Sequence, residues 1–369
     1  MMSSFSIPPL ISLLMLALIC TAIAGSSAAA GSSPREEAAQ EGGRSVVLRG
    51  RAAELRVELV GGALSDFHLA GDSVNPLRGM GHFLCLDRWG PPSAAEEKSG
   101  MPFHGEAWKA EWRVARGPEK RGDWIELEMS ASLPMAGLDV RRVVRLADSE
   151  VVVRVSETVT NRSRLGRIFN MVQHPTIGAP FLDVSTRVDA GARRGLMQSS
   201  PLPNPERPEV RWPYALQGER QIDVRRLTDD PNPNVVSYET SGDTGWTTAC
   251  NPEQGRLIGY LWKRSDYPWF SAWRHVEKGK PALRGLEFGT TGLHQPFPEL
   301  VKKGSIFGLP LYTHLDAGEQ VTRSYTMFLL RTPAGFEGIR DISASSDGVR
   351  LREDGRKRRV LELSTAAAP

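Results

Sequence analysis

Three polar islands in an otherwise apolar and glycine-rich chain carry side chains capable of acid–base chemistry. They are Met101-Pro102-Phe103-His104-Gly105-Glu106, Asn170-Met171-Val172-Gln173-His174-Pro175, and Gly285-Leu286-Glu287-Phe288-Gly289-Thr290-Thr291-Gly292. Burial among such neighbours moves a carboxyl pKa toward neutrality, where proton transfer is most effective. Taken singly, each island has an ordinary structural explanation: a hydrogen-bonded histidine beside Pro or Gly, or a glutamate at a strand end. Their order along the chain adds the information. Other chemistries lack their residues, since the sequence has no Gly-x-Ser-x-Gly elbow, no P-loop, no His-Glu-x-x-His and no Cys-x-x-Cys. His82 and Cys85 form one potential ligand pair without a second, and Gly79-Met80-Gly81 lacks the rest of a dinucleotide fingerprint.

The elements that must position these islands are strands. Apolar residues alternate at Leu55, Val57 and Leu59, at Ile125, Leu127 and Met129, at Val151, Val153 and Val155, and from Val321 to Leu330. That period of two marks strands with one buried face. Turn signals separate them, among them Gly61-Gly62, Gly122-Asp123, Thr160-Asn161, Asp243-Thr244-Gly245 and Ala317-Gly318. Helical periodicity is not sustained over three turns, and 36 Gly and 26 Pro in 369 residues argue against long helices. The expected fold is all-β, one large antiparallel unit, sandwich or barrel. Residues 199 to 234, with seven prolines around Trp212 and Tyr214, predict a long loop, either a ligand cover or a stiff connector.

Charge is nearly balanced, 46 Lys plus Arg against 43 Asp plus Glu, without an aromatic-interleaved basic stripe, so nucleic acid is not an expected partner. Leu10 to Ala24 is an apolar run ending in Ala22-Ile23-Ala24, which reads as a secretory signal peptide over residues 1–24 and predicts an exported, periplasmic or extracellular protein. Residues 1 to 9 hold no Lys or Arg. An uncleaved segment would instead tether the chain to a membrane. Residues 25–43 read as a flexible linker, 44–340 as the folded β domain, and 341–369 as a C-terminal hairpin and tail around Glu353-Asp354-Gly355. Without the signal, Cys85 and Cys250 remain, and their pairing is left open.

The succession His-Gly at 104, His-Pro at 174 and Gly-Leu-Glu at 287 resembles the galactose mutarotase-like superfamily, the aldose 1-epimerases. The resemblance runs from about Leu59 to about Leu330 and includes Gly61-Gly62-Ala63-Leu64-Ser65-Asp66-Phe67 and Asn75-Pro76-Leu77. It implies a large twisted supersandwich whose concave face binds a sugar ring. It also implies Glu287 as the base for the anomeric hydroxyl, His174 as the acid for the ring oxygen, and His104 as a second histidine near that oxygen. Such chemistry needs neither metal nor cofactor. Trp108, Trp273, Arg274 and Gln173 are the candidate substrate-binding residues: an indole stacks on the apolar face of a pyranose, and polar groups take its hydroxyls. Trp262 and Trp269, close to Trp273, equally suit a β core.

This chain departs from the family after His174, where Pro175-Thr176-Ile177 replaces an aromatic and an Asn, and after His104-Gly105, where Glu106 stands in place of the usual Arg. Those departures keep a carbohydrate-binding protein without turnover in view. A polysaccharide hydrolase or lyase, using Glu106 and Glu287 as paired carboxylates or His174 as a base, ranks behind both.

Overall fold

A computed structural model describes residues 45–368. The expected signal and linker, residues 1–43, lie outside the described residues. Two antiparallel sheets dominate. The eleven-stranded sheet runs in the order Ser45–Arg49, Ala53–Glu58, Leu64–Leu69, His82–Asp87, Arg167–Gly178, Lys280–Gly289, Trp269–Glu277, Val235–Thr240, Ala192–Met197 and Val210–Arg211, with Thr313–Leu315 also pairing with Arg167–Gly178. The eight-stranded sheet runs Arg187–Ala190, Thr244–Asn251, Arg256–Lys263, Gln320–Arg331, Val152–Asn161, Leu138–Ala147, Trp124–Leu133 and Arg113–Arg121. Among the described residues the α-helices are short, Ala94–Lys98 and Phe297–Lys303.

The alternation seen in the sequence becomes the sandwich core. Leu55, Val57, Leu127, Met129, Val153, Val155, Tyr325 and Met327 all enter one cluster between the sheets. Phe328 turns to the opposite face of the eight-stranded sheet, where it meets Trp246, Cys250 and Leu257. The antiparallel strands Ile339–Ser345, Gly348–Glu353 and Val360–Leu363 cover that face through Ile339, Val349 and Leu351. Both faces of this sheet are therefore dry over part of its area, as sheets packed between two layers are.

The proline-rich stretch contains a hairpin, Tyr214–Gln217 paired with Arg220–Asp223. Trp212 packs edge-on against Tyr238 and Phe270, with ring centres 5.2 and 5.3 Å away, at the border of the inter-sheet core. Cys85 and Cys250 are free thiols, buried in separate clusters.

Candidate active site

Four adjacent strands of the larger sheet position the second and third islands, and the first enters from a loop. Phe83 of His82–Asp87 stands opposite His174, Gly285 stands opposite Thr176, and Glu287 pairs with Ser271 of Trp269–Glu277. Since side chains alternate across a strand, Phe83, His174, Glu287, Ser271 and Trp273 share one face. Leu84, Leu286, Phe288 and Ala272 point the other way, into the inter-sheet core. The site face carries its own apolar cluster of Phe83, Cys85, Trp89 and Val172, with Trp108 packed against it.

Glu287 sits at the centre. Its Oε1 is 3.4 Å from His174 Nε2, and its Oε2 accepts a 2.6 Å hydrogen bond from the Trp89 indole. A Cβ at Gly285 would lie 2.7 Å from Oε1, so the absence of a side chain there makes room for the carboxyl group. The Phe83 ring stacks on the His174 imidazole at 4.3 Å and 17°, and Thr176 Oγ1 lies 3.1 Å from its Nδ1. Ring plane and rotation are thus both restrained.

Burial governs the protonation of this pair. Desolvation pushes the Glu287 carboxyl up to about 8 against the opposing pull of the Trp89 N–H, and it pushes His174 down to about 3. Near pH 7 the pair therefore holds one proton, resting mainly on the carboxyl. Among the described residues, no Lys or Arg reaches ion-pair distance of Glu287, so nothing restores its charge by Coulomb attraction.

His104 enters from a loop with its backbone in the left-handed region, at φ 67°. Such a conformation in a residue other than Gly costs about 1–3 kcal/mol and persists only where the surroundings impose it. Here they do. Gly105, at φ 78°, lets the loop approach the Leu86 carbonyl so closely that a Cβ would lie 2.2 Å from the oxygen. The His104 N–H donates to the Gly90 carbonyl at 2.9 Å, and the Gly90 N–H donates to His104 Nδ1 at 3.1 Å. Because Nδ1 accepts, the neutral ring carries its proton on Nε2 and presents a donor. Desolvation and the neighbouring His174 and His294 hold the imidazole far below its ordinary value, so it stays neutral.

The structure brings Glu287, His174 and His104 together, the two imidazole centres lying 5.4 Å apart. Trp273 lines the same site half-buried, 5.9 Å from the His174 ring, and Trp108 lies 6.0 Å from Phe83. Gln173 and Arg274 are not brought there, each being one residue out of phase with the site face. The Gln173 amide donates to Glu157 at 2.6 Å, its oxygen faces His82 Nε2 at 3.1 Å, and Glu157 is paired with buried Arg142 at 2.7 Å. Arg274 donates to the backbone carbonyls of Asn232 and Asp230. Glu106 accepts from the Ala136 N–H at 2.8 Å, outside this arrangement. Trp262 stacks on Phe288 in the core, and Trp269 joins the cluster around Phe297.

Three site residues escaped the sequence reading. Trp89 and Phe83 have no motif to mark them. His294 meets the edge of Trp89 at 4.6 Å and lies 5.5 Å from His104, held by its N–H donating to Gln198 at 2.9 Å. Its sole signal was a position two residues beyond Gly292, at the end of the third island.

No protein-family model matches the sequence, and no curated protein matches it in sequence. Solved structures do match in fold. A galactose mutarotase related enzyme from Lactobacillus acidophilus superposes with a TM-score of 0.57 at 14% identity, covering 78% of this chain and 98% of that one. A galactose mutarotase-like protein from Lactobacillus casei gives 0.55 at 15% identity over 78% of this chain and 100% of its own. A protein from Escherichia coli K12 provisionally assigned as an aldose 1-epimerase gives 0.54 at 14%, over 78% and 99%. The chain has the galactose mutarotase-like fold, and the expected β-sandwich is the architecture found.

Proposed function

We propose that this protein is an isomerase of the aldose 1-epimerase type, exchanging the anomers of a sugar by opening and reclosing its ring. The observation that carries this reading is the buried 3.4 Å contact of the Glu287 carboxyl with the His174 imidazole on an aromatic-lined sheet face. With the proton transferred to His174, Glu287 becomes the base and His174 the acid. Glu287 Oε1 takes the proton of the anomeric hydroxyl, the bond from C1 to the ring oxygen breaks, and that oxygen receives the proton from His174. The Nε2–H of His104 donates a hydrogen bond to the same oxygen as its charge develops. Rotation about the bond from C1 to C2, followed by the reverse steps, closes the ring on its other face and returns both protons. Trp273 and Trp108 offer apolar surfaces for the sugar ring.

The apolar segment Leu10–Ala24 supports placing this activity outside the cytoplasm, in the periplasm or beyond the cell. A second reading, sugar binding without turnover, draws support from the protonation of Glu287 near neutrality. Polarimetry separates the two: an isomerase speeds the approach of a freshly dissolved hexose to its equilibrium rotation, and Glu287→Gln loses that acceleration while keeping its fold. A binding module gives saturable heat in calorimetry with no acceleration, before or after the substitution.

A further inference from the structure

On the face of the larger sheet turned away from Glu287, Arg274 and Arg284 stand directly opposite each other on neighbouring strands. Like charges in that register repel. Both are buried, 4% and 0% exposed, and neither makes an ion-pair contact, although Asp230 and Asp223 attract Arg274, and Asp189 and Asp223 attract Arg284, from farther away. Arg284 donates to the backbone carbonyls of Val224 and Arg225, Arg274 to those of Asn232 and Asp230 at 3.3 and 3.2 Å, and the Nε of each has no hydrogen-bond partner. Burial, reinforced by Arg274, brings the Arg284 guanidinium down to about 9. Buried charge with no counter-ion in direct contact is a standing cost to the fold.

Arg274 lines a cavity of about 340 Å³ whose wall also holds Arg220 and Arg226. Neither of those has a carboxylate partner: Arg220 donates to the Gln217 side chain at 3.0 Å, and Arg226 to the Ser185 carbonyl. The other two arginines of the wall are already neutralised, Arg225 by Asp223, and Arg187 by Asp189 and Asp354. The Asp230 carboxylate, also in the wall, is engaged by the amides of Gln217 and Asn232. Three guanidiniums with no carboxylate in direct contact thus line one small space, Asp230 acting on Arg274 only from a distance, and the most buried of them has an unused N–H. A planar guanidinium fork matches an oxyanion in both charge and geometry.

We propose that this cavity binds a small tetrahedral oxyanion, phosphate or sulfate, either free or as the ester group of a sugar, held by Arg274 within and by Arg220 and Arg226 at the rim. The site is separate from the Glu287 cleft and stands or falls independently of the isomerase reading. Calorimetric titration of the full chain at fixed ionic strength, with inorganic phosphate, inorganic sulfate, a hexose 6-phosphate and a hexose 6-sulfate, tests it. Saturable binding is expected for at least one probe, weakened tenfold or more by Arg274→Gln and by the double variant Arg220→Gln/Arg226→Gln. Equal affinity for inorganic ions and esters identifies the free ion as the ligand, whereas esters bound tenfold tighter identify the ester. The double variant changes two exposed residues, so it decides the matter even if Arg274→Gln fails to fold. Absence of saturable heat with all four probes, or binding unchanged in the double variant, overturns the proposal.

Discussion

Replacing Trp89 by Phe removes one hydrogen bond while keeping an aromatic ring beside His294. In the native site the indole N–H donates to Glu287 Oε2 at 2.6 Å and opposes the desolvation that raises this carboxyl to about 8. A hydrogen bond to a charged group contributes about 1.5–3 kcal/mol, and one pKa unit corresponds to about 1.4 kcal/mol. Loss of the donor therefore raises the carboxyl by about 1–2 units and makes the form with charged Glu287 and protonated His174 about 10- to 100-fold rarer. The turnover number should fall by that factor. The pH profile should move as well, in a definite direction. The proposed pair holds one proton, so native activity should be level across neutral pH and decline above about 8, where the carboxyl proton is lost. In Trp89→Phe the proton is held more tightly and the decline shifts to higher pH. Polarimetry from about pH 6 to about pH 10, which brackets the limb, measures both effects once the buffer's own catalysis is subtracted. A variant with native turnover and an unmoved limb, or a native enzyme whose rate climbs steadily through pH 8, refutes the reasoning.

Two further substitutions probe the support of the site. Gly285→Ala places a Cβ 2.7 Å from Glu287 Oε1 and 3.0 Å from the Trp273 Cβ. It should cost about 1–3 kcal/mol of stability by overpacking, measurable by urea unfolding, and should reduce turnover at least tenfold by displacing the carboxyl, as read by polarimetry. Arg142→Met leaves Glu157 buried without its 2.7 Å partner, and the expected loss is about 3–5 kcal/mol in the same unfolding experiment, well beyond what the change in apolar packing would produce.

The strands were legible because one face of each meets the core: Leu55 and Val57, or Ile125, Leu127 and Met129, alternate with residues that remain more exposed or polar. The centre of the site was less legible for the same physical reason. Asn170 to Gly178 is buried on both faces, so the hydrophobic pattern does not say which residues share a side. Gln173 and Arg274 accordingly looked like neighbours of the chemistry through their adjacency to His174 and Trp273, although adjacency on a strand places side chains on opposite faces. Glu287, His174 and His104, the residues proposed for the acid–base chemistry, stood out in the sequence through their order in the chain. Trp89 and His294 become members of the site only through contacts between segments about two hundred residues apart, which local spacing does not encode.

The proposed anomer exchange depends on Glu287 and His174 passing protons to and from a sugar ring. The most direct measurement is the rate of anomer exchange in a panel of aldoses at neutral pH, followed by polarimetry or by exchange of anomeric proton signals, for the native protein and Glu287→Gln. The expected result is acceleration over buffer for at least one sugar, lost in the variant while its thermal unfolding remains cooperative. Exchange no faster than buffer across the whole panel, or acceleration that survives the substitution, contradicts it.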